Sequence, residues 1–398
     1  MRVLYLTHRL PYAPNRGDRI RSFHFVEGLR EAMDVGLVSL VHDDVEAAAV
    51  PAVAARGVDV TVARVAGLSR WLRATAALAG HDPVTHHLLT APTIDQAIES
   101  AVARARPDVV LAMCSSMAQF ALRPPLDRYP FVLDMVDVDS EKWRSLGAVS
   151  PPPKSWVYRR EARVLSAFER VATGRAVTTL VVNEKESEAL KALAPDADVR
   201  VISMGVDIDA FTPMDPPGNS ATVVFCGVMN YPPNESGALW LVREVWPLVL
   251  QRRPDARLEI VGSQPTTAVR ALARPGIVVT GLVPHTRDYL WRAAVAVAPL
   301  HTARGLQNKV FEAMAAGVPV VATAAVHAGL PPAVGQACEV ADSASDFAEG
   351  ILRWLERSPA ERRAHAMGVD LRPWSWAGPR GELVDVMKAA AAARPSTR

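Results

Sequence analysis

A chain of 398 residues exceeds the size at which one hydrophobic core keeps growing, so two domains of ordinary size are expected. With 44 basic and 42 acidic residues the formal charge is +2, which argues against nucleic acid as the main partner, and 49% hydrophobic with 22% charged residues is an ordinary globular composition. No run approaches the roughly 20 apolar residues of a membrane helix, and three distant cysteines without CxxC spacing, Cys114, Cys226 and Cys338, fit reduced thiols in the cytoplasm.

The opening run Met1-Arg-Val-Leu-Tyr-Leu6 reads as a first strand, being much shorter than a signal-peptide core and lacking a small-residue cleavage site. Further strands are predicted at Val35–Leu40, Val58–Val62, Val109–Met113, Phe131–Met135, Thr179–Val182 and Val199–Ile202, with helices in most of the gaps. The adjacent His86-His87 is assigned to a solvated loop, because neighbours in sequence do not share a helical face. Asp207 to Ser220 is rich in Pro, Asp and Gly and reads as a linker. After it strands are predicted at Thr222–Cys226, Leu258–Val261, Ile277–Thr280, Val295–Ala298 and Pro319–Ala322, with helices beginning near Asn234, Thr266, His285 and Leu306. Beyond Val340 the pattern is helical, with Pro373-Trp374-Ser375-Trp376 as a packed crossing point and a final helix from about Pro379. Strands alternating with helices from end to end describe parallel sheets covered by helices.

The block Arg304-Gly-Leu-Gln-Asn-Lys-Val-Phe-Glu-Ala-Met-Ala-Ala-Gly-Val-Pro-Val-Val-Ala-Thr323 reads as a ligand site. Gly305 allows close backbone approach, and the helix after it offers N–H groups and a positive dipole end to an anion. Lys309 sits where it can meet phosphate charge. Glu312, three residues on, shares its face, and an acceptor-only carboxylate there suits a pair of hydroxyls; the alternative is a helix-surface carboxylate paired with Lys309. Asn308 either bonds along the helix or meets the ligand. Near the start, Gly17 reads as a turn or ligand-approach glycine, while Asp18, Arg19 and Arg21 either join it or decorate the following helix. Asp137-Val-Asp139 has the form of a metal-binding DxD, a triplet frequent by chance, so no metal site is assigned; these aspartates are turn formers or functional groups. Val65–Gly80 and the basic stretch Lys154–Arg175 are amphipathic, compatible with peripheral membrane contact or with ordinary packed and solvated faces.

Several of these segments together resemble glycosyltransferase family 4: Glu312-Ala-Met-Ala-Ala-Gly-Val-Pro-Val-Val with Val297-Ala-Pro-Leu300 and Thr280-Gly-Leu-Val-Pro284, Met204-Gly-Val-Asp207 with Phe211 and Pro213, and Pro11 to Arg21. Phe225 to Asn234 and Asp134 to Trp143 are further similar to the sugar transferases associated with exosortase (PEP-CTERM) and exopolysaccharide loci. The resemblance implies an α/β protein of GT-B architecture, two Rossmann-like domains with parallel sheets facing across a cleft. Residues 1–213 would bind the acceptor, with 374–398 packing back on them, and 214–373 the nucleotide sugar. Glu312 would accept bonds from the ribose hydroxyls and backbone near Val283 would contact the base, with Gly227, Gly305, Leu306 and Asn308 completing the donor set. His8, Gly17, Asp18 and Asp139 are the candidates to face the acceptor, and Asp137, Asp139 and His8 the candidates to orient or deprotonate its hydroxyl.

Two departures stand out: Arg304 occupies the place of the family's first glutamate, and Gly227 is followed by Val228, Met229 and Asn230 rather than a basic pair, with Asn234 where a lysine is common. Arg304 and Lys309 are therefore expected to supply the missing positive charge at the leaving phosphate. The implied activity is retaining, metal-independent sugar transfer from a nucleotide sugar, a co-substrate in a protein without cofactor, to a polysaccharide or lipid-linked acceptor. The implied place is the cytoplasm or the inner face of the plasma membrane. A sugar-nucleotide epimerase of the same architecture and a non-catalytic donor-binding scaffold are the alternatives.

Overall fold

The computed structural model describes residues 1–12, 17–65, 67, 74, 75, 77, 78, 80, 82–213, 221–303 and 307–393, and for Gly17 and Asp18 the backbone only. It forms two compact units, Met1–Gly205 with Trp376–Arg398, and Val206–Ser375. The first unit therefore ends before the proline-rich stretch, where the expected boundary lay at 213. Val206 belongs to the second unit because its N–H donates to the Trp374 carbonyl at 2.8 Å.

In the first unit seven strands, β1 (Arg2–Thr7), β2 (Asp34–Val41), β3 (Asp59–Arg64), β4 (Val109–Met113), β5 (Phe131–Val136), β6 (Thr178–Val181) and β7 (Val199–Val201), form one parallel sheet in the order β3-β2-β1-β4-β5-β6-β7. The inner strands are buried, largely apolar runs because helices cover both faces, while the edge strands β3 and β7 are partly exposed. One core holds Leu4, Leu6, Val110 and Leu133, and the opposite one holds Val3, Tyr5, Leu111 and Val132. The helices that bear on function are α1 (Gly17–Ala32), α2 (Val84–Leu88), α3 (Cys114–Ala121), α4 (Asp139–Val149) and α5 (Lys154–Arg175).

Six parallel strands make the second unit: β8 (Thr222–Cys226), β9 (Arg257–Val261), β10 (Ile277–Val279), β11 (Val295–Ala298), β12 (Val320–Ala322) and β13 (Cys338–Val340), in the order β10-β9-β8-β11-β12-β13. Its core joins Val223, Phe225, Ile260, Val297, Phe311 and Trp246. The relevant helices are α6 (Pro232–Trp240) and α7 (Asn308–Ala315), and a last helix, α8 (Ala377–Ala392), returns to the first unit. There Leu383, Val386 and Met387 join the core beside α1, and a Cβ at Gly28 would stand 2.7 Å from the Arg380 Cβ, so glycine permits the approach.

The tryptophans of the crossing segment divide between the units. Trp374 packs with Phe311, ring centroids 5.9 Å apart, while Trp376 stacks on His24 at 4.3 Å. His86 departs from expectation: it lies on α2 rather than in a solvated loop, buried edge-on against Phe168 at 4.4 Å, and burial pushes its pKa down to about 4. The cysteines are free thiols, and burial pushes Cys226 and Cys338 up to about 12.

Candidate functional site

In open parallel sheets ligands bind beyond the carboxyl ends of the strands, where the strand order reverses. The second unit reverses between β8 and β11. β8 runs through Gly227 into α6, and α7 is the helix between β11 and β12, so the two helices lie on either side of that point. They meet through one bond: Lys309 Nζ on α7 donates to Asn234 Oδ1 on α6 at 2.7 Å. Asn234 is itself fixed, its Nδ2 donating to the Val228 carbonyl at 2.9 Å. Lys309 Nζ also stands 4.9 Å from the centroid of the Phe225 ring, within cation–π range. Burial pulls its pKa down to about 8, with Cys226 and Glu312 opposing, so the ammonium is mostly charged at neutral pH.

Glu312 lies one turn further along α7, half-buried. Among the described residues its carboxylate has no hydrogen bond or ion pair, so the pairing with Lys309 does not form, and four acceptor sites remain open. Burial pushes its pKa up to about 7, lowered again in part by Lys309 and raised by Asp207. The site thus holds a fixed cation next to an uncommitted carboxylate.

The loops around it are laced together by backbone. Gly227 N–H donates to the Val261 carbonyl and Met229 N–H to the Ser263 carbonyl, both at 2.9 Å. Gly262 has φ +146°, and a Cβ there would stand 1.7 Å from the Gly227 oxygen, so only glycine fits. A Cβ on Gly227 would meet Asn234 Nδ2 at 2.8 Å, pressing on the residue that holds Lys309. Gly237 lets α6 lie against the end of β11, its virtual Cβ 2.6 Å from the Pro299 carbonyl. Asn308 opens α7, and Val283 follows Gly281 on the loop after β10, packed in part on the core. Arg304, Gly305 and Leu306 lie outside the described residues.

The first unit reverses between β1 and β4, and a cavity of about 650 Å³ opens there. His8, Arg9, Cys114, Ser116, Asp137, Asp139, Lys142 and Trp143 are among its lining residues. Cys114 (φ +64°) and Val136 (φ +66°) stand at the ends of adjacent strands in the left-handed region, unusual for side-chain-bearing residues and most so for β-branched valine. Such strain persists where the surroundings impose it, commonly at ligand sites. Asp139 accepts a bond from Ser115 Oγ at 2.9 Å, and burial raises its pKa against the pull of Ser115, Lys142 and His8. Asp137 is exposed at the cavity rim. Ser116 Oγ, buried in the wall, has no hydrogen-bond partner among the described residues.

Sequence reading missed Ser116, Lys142 and Trp143, whose pattern is that of ordinary helix residues. Arg21 does not decorate α1. It is fully buried, its Nε donating to Asp134 Oδ2 at 2.9 Å, NH2 to Oδ1 at 2.8 Å and NH1 to the Ile202 carbonyl at 2.8 Å. That fork ties α1 to the strand ending at the cavity. Gly17 begins α1, Asp18 side-chain geometry lies outside the described residues, and so does most of Val65–Gly80.

Residues 220–357 match the family model described as "Glycosyl transferases group 1". No curated protein sequence matches the chain. Among solved structures it is similar to HepE of Anabaena in complex with UDP, with TM-score 0.64 and 14% identity over 98% of this chain and 100% of that one. It is similar also to sucrose-phosphate synthase of Thermosynechococcus elongatus, at 0.56 and 17% over 98% and 96%, and to WaaG, a glycosyltransferase involved in lipopolysaccharide biosynthesis, at 0.60 and 15% over 97% and 99%. Two parallel Rossmann-like sheets with these likenesses give the chain the GT-B fold, and within it residues 220–357 are similar to the group 1 glycosyl transferases.

Proposed function

We propose that the protein transfers a sugar from a nucleoside diphosphate sugar to a glycan or lipid-linked acceptor, with retention at the anomeric carbon and without a metal ion. The observation that carries this reading is the open Glu312 carboxylate one turn from Lys309 at the β8/β11 switch point. Glu312 accepts the ribose hydroxyls, and Lys309, with Arg304, meets the diphosphate. HepE is solved with UDP, with UDP and glucose, and with UDP-glucose, so UDP-glucose is the first donor to test.

As the bond from the anomeric carbon to the phosphate oxygen breaks, negative charge gathers on the diphosphate. A cation already fixed by Asn234 and Phe225 lowers that barrier without reorganising. The acceptor oxygen forms the new bond, and its proton passes to the departing phosphate. The first unit's cavity holds the acceptor, with Asp139 and Asp137 orienting its hydroxyl. Incubation of the full chain with UDP-glucose and a glycan acceptor, in excess chelator, is expected to release UDP and give an α-linked product. Donor that stays intact with every acceptor, isomerises without transfer, or reacts only when metal is restored contradicts the reading.

A further inference from the structure

The hairpin of α4 and α5 carries a surface that sugar transfer leaves without a role. From Asp139 to Arg175 the chain has eight basic and four acidic residues, against near balance overall. Burial sharpens the asymmetry. Glu161 and Glu169 are buried, Asp139 and Glu141 half-buried, while seven of the basic side chains are exposed. Both buried glutamates are engaged inward, Glu161 accepting from Thr85 N–H at 2.8 Å and Glu169 from Ser140 N–H at 3.0 Å.

Apolar side chains stand out at the hairpin's turn. Val149 is 82% exposed and Trp156 66%, beside exposed Leu146 and Val157. Trp156, Arg159, Arg163, Ala167 and Arg170 recur at helical spacing and are all exposed, so one face of α5 is aromatic at its start and basic along its length. Between the helices Arg144, Arg159, Arg163 and Ser166 line a groove of about 290 Å³. Among the described residues Arg163 has no carboxylate partner, and Arg159 spends its Nε on the Gly147 carbonyl at 3.3 Å.

We propose that this hairpin docks the protein on an anionic lipid bilayer, with Trp156, Val149 and Leu146 at the interface and the arginine groove receiving lipid phosphate. An amphipathic aromatic tip beside cations fits the boundary of headgroup and acyl chain, where both kinds of group are satisfied at once. Apolar insertion distinguishes this surface from a purely ionic one for nucleic acid. The proposal goes beyond sugar transfer and needs no assumption about it. The same hairpin supplies Lys142 and Trp143 to the wall of the first unit's cavity, and Trp143 packs on Tyr158 of α5 at 5.2 Å, so docking brings that wall to the lipid surface.

The test is sedimentation of the full chain with sucrose-loaded vesicles of phosphatidylcholine alone or mixed with phosphatidylglycerol. Binding is expected only with the anionic lipid, and Arg159→Gln with Arg163→Gln is expected to weaken it about 30-fold, at about fivefold per basic residue. Arg243→Gln with Arg270→Gln, an equal charge loss on exposed residues of the second unit, is expected to leave it unchanged. Trp156→Ala is expected to weaken it at constant charge, and Arg163→Gln alone serves if the double variant fails to fold. Equal binding to both vesicles, none to either, or equal loss in the control pair overturns the proposal. So does tighter binding to single-stranded RNA through the same arginines, or a vesicle-free dimer that Trp156→Ala dissociates.

Discussion

Lys309→Met isolates the charge at the switch point while keeping an unbranched stem over Phe225. Lys309 Nζ stands 2.7 Å from Asn234 Oδ1 and 4.9 Å from the Phe225 ring centroid, so its position is set before donor arrives. Losing a pre-positioned donor at a developing anion costs about 2.7 to 4 kcal/mol, roughly 100- to 1000-fold in kcat. Folding changes little: the lost bond to Asn234 costs about 1 kcal/mol, offset by no longer burying a cation. The pH profile adds a second readout. Burial holds Lys309 near 8 in the free protein, so wild-type kcat/KM for the donor falls as pH rises through about 8 and the ammonium loses its proton, and this alkaline limb is expected to vanish in Lys309→Met. Steady-state kcat and KM for UDP-glucose between pH 6 and 9, with a thermal melt at each pH, check both points. Wild-type kcat, or an alkaline limb that survives, refutes the reasoning.

Gly227→Ala places a Cβ 2.8 Å from Asn234 Nδ2 and is expected to displace Lys309 through Asn234, lowering kcat about tenfold with donor affinity nearly intact, as kinetics and calorimetry would show. Cys114→Val puts a β-branched residue at φ +64° and is expected to lower stability by about 1 to 3 kcal/mol in denaturant titration, whereas Cys114→Gly is expected to cost less. Acid is expected to destabilise the first unit through two buried histidines. Burial, then Arg380, pulls His24 down to about 3, and burial pulls His86 down to about 4, from an unfolded value of 6.5. Between those limits the unfolded chain binds more protons. Stability therefore holds above about pH 6.5 and falls as pH drops, by up to about 1.4 kcal/mol per pH unit for each group. Denaturant midpoints against pH measure this, and His86→Phe is expected to flatten the curve; an unchanged slope contradicts it.

Much of the architecture was legible because parallel strands buried on both faces are continuous apolar runs. Val109–Met113, Thr222–Cys226 and Val295–Ala298 fall where the runs predict. Cys338–Val340 was missed: three residues with one β-branched side chain give no run to read. The block around Lys309 and Glu312 announced itself because glycine, charge and proline fall within one helix and its flanks. What those charges touch did not. Lys309 meets Asn234 75 residues away, and Arg21 meets Asp134 at a separation of 113, through sheet order that no local spacing encodes. Asn234 stands where the resemblance makes lysine common, and in the structure that residue steers a lysine from another helix. His86 shows the reverse error, since adjacent histidines on a helix face different sides and one of them is buried.

In the proposed function Glu312 and Lys309 hold a nucleoside diphosphate sugar at the β8/β11 switch point. Thermal melting of wild type and Glu312→Ala with UDP-glucose tests it most directly. Ligand at a hundredfold excess over Kd stabilises the folded state by about 2.7 kcal/mol, so the wild-type midpoint is expected to rise by several degrees. Because burial holds Glu312 near 7, the rise is expected to be larger above that pH, where the carboxylate is ionised, than below it. Glu312→Ala is expected to fold normally and to lose most of the shift. An equal shift in both proteins, or none in the wild type with any nucleotide sugar, contradicts the claim.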